Sequence, residues 1–178
     1  EGAVDPYFKG LADIVWKLDE EGETGVEMEE SYLVTTALPG HVNLKAGQWF
    51  TEFGRLNPRH PHQWDFVDQP LVLNRLFGPD GLRNPGLQVA WLAPTPFFLE
   101  ASLTLLNGKG ETAWSFRNPE SPVFHGRTAA DRPLRSLGDL VYLPRFATSF
   151  ELGSANTLLV GATAALGPNS TGDDTDTS

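Results

Sequence analysis

The stretch that decides the fold is Phe97–Asn107, which reads FFLEASLTLLN. Apolar side chains occupy every second position from Phe97 to Leu105, and polar side chains such as Glu100 and Thr104 lie between them. Successive side chains of a β-strand point to opposite faces of its sheet. The alternation therefore predicts a strand with one apolar face and one polar face.

Six further segments repeat this period of two, although less cleanly. We predict strands over Pro6–Leu18, Gly25–Leu38, Val42–Gly54, Gly86–Ala93, Tyr142–Leu152 and Thr157–Leu166. In the second of them Glu30 falls among the apolar positions, on the same predicted face as Tyr32 and Val34, and breaks the pattern. The polar positions of the first strand are Lys9, Asp13 and Lys17.

The connections between these segments are alternately long and tight. The long ones are Asp19–Thr24, Arg55–Pro85 and Gly108–Val141, and the tight ones are Pro39–His41, Ala93–Pro96 and Gly153–Asn156. An antiparallel up-and-down meander with this rhythm has long loops at one end and tight turns at the other. Transmembrane β-barrels have that asymmetry.

Composition narrows the class of protein. The 178 residues carry a net charge of −10, which argues against a nucleic-acid partner, and the absence of cysteine excludes a disulfide scaffold. No run approaches the roughly 18 apolar residues of a membrane-spanning helix, but several predicted strands reach the about 9–11 residues that cross a bilayer when tilted. We therefore predict an all-β fold, a partial transmembrane β-barrel over residues 1–167, with 168–178 as a truncated polar loop. A water-soluble β-sandwich that acts as a binding module is the alternative.

Residues 55–85 form a long loop with too many large apolar side chains to be disordered. Trp64, Leu73 and Phe77 need a surface to pack against, and long ordered loops are usually functional. A short helix fits within Asp65–Leu76, although Pro70 limits its length. We predict that the loop folds inward and narrows a pore.

Charged side chains of this loop and of the polar strand faces are the candidate lining of that pore, because such charges set ion selectivity. The candidates are Arg55, Arg59, His60, His62, Asp65, Asp68, Arg75, Asp80, Arg83, Lys9, Glu27, Glu29 and Glu100. Arginines facing aspartates would create a transverse field that favours dipolar solutes.

The same loop raises the question of a metal. His60 and His62 are two residues apart with Asp65 and Asp68 nearby, a set of side chains that can ligate a divalent ion. Loop histidines that hydrogen-bond the wall are the simpler interpretation, and a metal-binding protein is retained as an alternative. No nucleophile elbow or phosphate-binding glycine loop occurs, so we expect no enzymatic activity and no cofactor.

The loop also carries a family resemblance. GQWFTEFGRLNPRHPHQWDFVDQP at 47–70 followed by FGPDGLRNPG at 77–86 resembles a group of porin-like outer-membrane proteins of Gram-negative bacteria, and GQWFTEFG is loosely similar to the phosphate-selective porins O and P. The resemblance is close over about residues 43–92. It implies a place in the cell outer membrane, contact with its lipid, and passive diffusion or uptake of small polar solutes or ions. Whether the protein forms a homo-oligomer stays open.

Overall fold

The computed structural model describes residues 2–3, 5–18, 22–60, 63–65, 67–110, 112–116, 123–124, 127–128, 134–153 and 155–168. Its strands are β1 (Gly2–Ala3), β2 (Phe8–Leu18), β3 (Thr24–Thr35), β4 (Val42–Phe50), β5 (Arg83–Leu92), β6 (Leu99–Asn107), β7 (Val123–Phe124), β8 (Arg127–Thr128), β9 (Leu140–Leu152) and β10 (Asn156–Thr163). The helix α1 (Leu71–Phe77) and two single-turn 3₁₀ helices, Pro39–His41 and Leu137–Asp139, complete the elements. Within the described part of the chain, no helix is both long and apolar enough to cross a membrane.

Eight strands form one open antiparallel sheet in the order β1-β2-β3-β4-β5-β6-β9-β10, and β7 pairs with β8 separately. Each strand of the large sheet pairs with the next strand in the chain, with one exception. β6 pairs with β9, because β7 and β8 lie between them in sequence but not in this sheet. The seven long strands are the seven predicted from alternation, and the all-β meander is confirmed. The connections 51–82 and 108–139 leave the same end of the sheet, and the turns at 36–41 and 93–98 leave the other.

One face of this sheet consists of large apolar side chains that are exposed, and we name it the apolar face. Leu103, Leu158 and Val160 are 43%, 46% and 46% exposed, and Trp16 reaches 70%. The strand register places the following exposed residues on this face: Ile14, Trp16, Leu18, Val26, Met28, Leu33, Leu44, Leu87, Val89, Trp91, Leu103, Phe146, Phe150, Leu152, Leu158 and Val160. Among the residues described, no second layer of the structure buries them.

The opposite face, which we name the loop face, carries the long connections. Leu73 and Phe77 of α1 belong to one core with Leu106, Val141 and Leu143, which are buried apolar side chains of β6 and β9. Leu82, Ala113 and Phe116 complete this core, so the connections 51–82 and 108–116 share it. Burial of each large side chain contributes about 1.5–3 kcal/mol. These contacts hold both connections against the sheet.

The helix α1 confirms the short helix predicted within Asp65–Leu76 and extends one residue beyond that interval. It begins directly after Pro70, its N-cap, because a proline inside a helix would remove a hydrogen bond and clash with the preceding turn. Gly78 then ends it with φ +91° and donates its N–H to the carbonyl of Asn74. Pro70 therefore limits its length as predicted.

A β-bulge in β3 changes which side chains belong to which face. Asp13 pairs with Glu30 and the next residue of β2 pairs with Met28, so Glu29 is the extra residue. The extra residue reverses which face the side chains of Glu30, Tyr32 and the rest of β3 occupy. Glu30, Tyr32 and Val34 therefore lie on the loop face, and their predicted place on the apolar face was wrong.

Candidate functional site

The site lies where β3 and β4 separate. The two strands pair only from Ser31–Gln48 to Val34–Lys45, so the first half of β3 has no partner strand on that side. Side chains fill the opening: Gln48 donates from Nε2 to the carbonyl of Met28 at 3.1 Å, and the Phe50 N–H donates to Oε1 of Glu30 at 3.0 Å. Polar groups rather than a ladder therefore join the strands here.

Seven ionisable side chains meet at this opening, and we name them the charged cluster. They are Asp13, Lys17, Glu27, Glu29, Glu30, His60 and Arg83. They come from β2, β3, the start of β5 and the 51–82 loop. The formal count is four carboxylates, two fixed cations and one imidazole, so a neutral His60 leaves the cluster with an excess of negative charge.

Glu27 forms ion pairs with both fixed cations of the cluster, Lys17 and Arg83. Its two carboxylate oxygens contact Lys17 Nζ and Arg83 Nη2. Arg83 is 5% exposed and also places Nη1 3.9 Å from Oε1 of Glu29. Its guanidinium lies over the ring of Phe50, with 5.4 Å from Cζ to the centroid. A buried arginine is retained because these groups compensate its lost hydration.

His60 brings the loop to the cluster. Its Nδ1 lies 3.5 Å from Oε2 of Glu29, and its Nε2 lies 3.6 Å from Oε2 of Glu30. The ring packs edge-on against Phe50, with 5.1 Å between centroids. The imidazole is thus held between two carboxylates, one on each ring nitrogen.

A row of polar side chains continues across the loop face. Lys45 Nζ lies 3.9 Å from the ring centroid of Tyr32 and 4.0 Å from Oε1 of Glu52. Gln88 donates from Nε2 to Oε2 of Glu52 at 2.8 Å and to Oγ1 of Thr104 at 3.0 Å. These partners connect the middle of β3, β4, β5 and β6.

Beyond the row lies a cavity of about 730 Å³ between residues 52–59 of the loop and the strands β9 and β10. Arg55, Arg59 and Arg145 line it. Arg145 donates from Nη1 to Oε1 of Glu100 at 2.7 Å. Arg59 places Nη1 3.8 Å from Oδ2 of Asp65. Two of the three arginines at the cavity therefore pair with carboxylates, Arg145 with Glu100 and Arg59 with Asp65.

The structure brings some of the predicted site residues together and leaves others apart. Glu27, Glu29, His60 and Arg83 share the charged cluster, whereas Arg55, Arg59, Asp65 and Glu100 belong to the cavity and its ion pairs. Lys9, Asp68, Arg75 and Asp80 are exposed and line neither feature. His62 lies outside the described residues, as does the predicted polar loop beyond residue 168. The ring nitrogens of His60 face Glu29 and Glu30 and not the aspartates predicted to join it.

Glu30 is the main residue that the sequence analysis missed, since it was read as a break in an apolar face. No turn residue marks the bulge that moves it, so the sequence offered no signal. Glu52 was also outside the predicted set. It lies just beyond the end of β4, and only the packed structure brings its carboxylate to Gln88 and Lys45.

Comparison with known proteins finds a relative of this chain but no family. No family model and no solved structure matches the chain. The chain is 39% identical over 164 residues to a protein of Aquifex aeolicus (strain VF5) whose description is "uncharacterized protein". The match covers 92% of this chain but only 32% of the relative, so the chain spans about a third of the length of the curated relative that it matches.

Proposed function

We propose that this chain is part of an outer-membrane β-barrel channel that passes small polar solutes or ions. The observation that carries the proposal is the contrast between the two faces of the sheet. Large apolar side chains are exposed across all seven long strands, and charged groups occupy the other face together with the 51–82 loop. A monomeric soluble protein rarely exposes apolar side chains in one contiguous patch of that extent.

The open edges of the sheet agree with a larger barrel. A strand edge cannot remain unpaired in lipid, because its N–H and C=O groups find no water there. In this proposal β10, and β2 beyond its short pairing with β1, pair with strands from other parts of the protein. A relative about three times as long has room for such strands.

The charges of the loop face support a polar lumen. The charged cluster contains more carboxylates than fixed cations, and three arginines together with Glu52 line the cavity beside β9 and β10. Opposed charges across a narrow passage favour small dipolar solutes and tune ion selectivity. The 51–82 loop lies between the two groups and would form the constriction.

Neighbouring spin labels test the orientation of the sheet. The full-length protein in lipid vesicles would carry one nitroxide at Leu103→Cys or, as the matched control, at Ser102→Cys on the other face of β6. This chain contributes no cysteine of its own. We expect oxygen dissolved in the bilayer to relax the label at 103 and a water-soluble nickel complex to relax the label at 102. Equal access of the nickel complex to both labels would exclude the channel and favour a soluble sheet.

A further inference from the structure

The charged cluster contains side chains that sequence spacing does not group. Asp13, Glu29 and His60 each offer one ligand atom, and these three atoms lie within 4.8 Å of one another. They come from β2, from the bulge of β3 and from the 51–82 loop. We propose that they form a binding site for a divalent transition-metal ion such as Zn²⁺, which fastens the loop to the sheet.

The separation of two of the three ligand atoms fits such an ion, and the third would need a small shift of the Asp13 side chain. Bonds of Zn²⁺ to imidazole nitrogen and carboxylate oxygen are about 2.0–2.2 Å, so two ligands of one tetrahedral ion lie about 3.4 Å apart. Nδ1 of His60 and Oε2 of Glu29 are 3.5 Å apart. That separation is long for a direct hydrogen bond and matches two ligands that share a metal.

A carboxylate also faces the second ring nitrogen of His60, at 3.6 Å, which is longer than a hydrogen bond and would shorten if a metal positioned the ring. A metal-bound histidine generally donates its second ring N–H to a carboxylate, which orients the ring. Nε2 of His60 faces Oε2 of Glu30, while Oε1 of Glu30 is held by the Phe50 N–H. The two carboxylate oxygens of Glu29 likewise face different partners, Oε1 toward Arg83 and Oε2 toward His60.

Two independent features indicate that a group is needed here. Asp13 and Glu30 are direct partners across the β2–β3 ladder, and like charges so placed are destabilising. Arg83 is 5% exposed, and its Nε has no hydrogen-bond partner among the described residues. A buried polar atom of this kind is commonly explained by a water or an ion nearby. A cation at the three ligands would offset the repulsion between Asp13 and Glu30, and a water bound to it could accept a hydrogen bond from Arg83 Nε.

The inference does not rest on the proposed channel function, since the three side chains meet whether or not the sheet closes into a barrel. The test uses the full-length protein in detergent, freed of metal with a chelator and titrated with Zn²⁺ in equilibrium dialysis. We expect His60→Ala and Glu29→Gln to bind one equivalent fewer than the unmodified protein. Glu30→Gln should lower the Zn²⁺ affinity of that site by about 10–100-fold, as loss of a residue that orients a metal ligand does.

His41→Ala is the matched control, because this exposed histidine precedes β4 at the end away from Phe50 and should leave binding unchanged. Trypsin provides a second readout that does not require a variant to fold. Zn²⁺ should slow cleavage after Arg59, next to His60, if it ties the loop to β3. Equal Zn²⁺ binding by His60→Ala and the unmodified protein would overturn the site. Binding without protection of the loop would overturn its fastening role.

Discussion

Asn57 decides how the loop leaves the sheet. It is 4% exposed, and its Nδ2 donates to the carbonyls of Thr51 and Leu82 at 2.8 and 3.0 Å. Its Oδ1 accepts the N–H of Leu82 at 2.8 Å. One side chain thus joins both ends of the 51–82 connection, and its loss would leave buried backbone groups without partners.

Replacing Asn57 by alanine should therefore destabilise the protein by about 1–3 kcal/mol per unsatisfied group. Urea unfolding in detergent would measure the free energy, and hydrogen exchange should show faster exchange at the Leu82 amide. The matched change Asn156→Ala, at the exposed start of β10, should have little effect. Equal stability of the two variants would show that the Asn57 side chain does not hold the two ends of the 51–82 connection together.

Arg83 is the residue whose loss should be most costly in the charged cluster. Removal of one partner from a buried ion pair costs about 3–5 kcal/mol. Because Lys17 still contacts Glu27, the cost here should fall toward the lower end of that range. We expect Arg83→Met to lower the free energy of unfolding by that order, measured by urea titration. The double variant with Glu27→Gln should recover part of the loss. No recovery in the double variant would contradict a pairing role for Arg83.

At the scale of the element, Gly47 controls how β3 and β4 approach. Its φ is +137°, and a Cβ there would lie 2.1 Å from the carbonyl oxygen of Ser31 and 2.6 Å from Cα of Tyr32. Backbone atoms cannot move aside as a flexible side chain can. Glycine is therefore required for Tyr32 to lie beside it and contact Trp49 edge-on, with 6.4 Å between ring centroids.

Gly47→Ala should accordingly destabilise the protein by about 3 kcal/mol or more. Gly25→Ala is the control in β3, because its Cβ would meet only the Lys17 carbonyl oxygen at 4.0 Å. Thermal unfolding followed by the circular dichroism of the sheet would compare the two. Equal midpoints would mean that β4 adjusts its path, and the argument from close approach would fail.

At the scale of the whole molecule, the proposed channel function and the arginines that line the cavity together set an expectation for transport. The double change Arg55→Glu with Arg59→Glu reverses the sign of the cavity lining, so cations should gain permeability over anions. The reversal potential of the full-length protein in a planar bilayer under a salt gradient would measure this. Arg75→Glu on α1, outside the cavity, should leave it unaltered. An unchanged potential in the double variant would remove these arginines from the solute path.

The sequence by itself determined the seven long strands, their order and the alternation of long and tight connections. Period-two alternation is a local property, and a strand expresses it wherever its neighbours lie. Only the tertiary structure decided the bulge at Glu29, because a register shift depends on the partner strand and no turn residue marks it. For the same reason the convergence of Asp13, Glu29 and His60 could not be read from the chain. Contacts between residues so far apart in sequence exist only once the sheet and its loop have packed together.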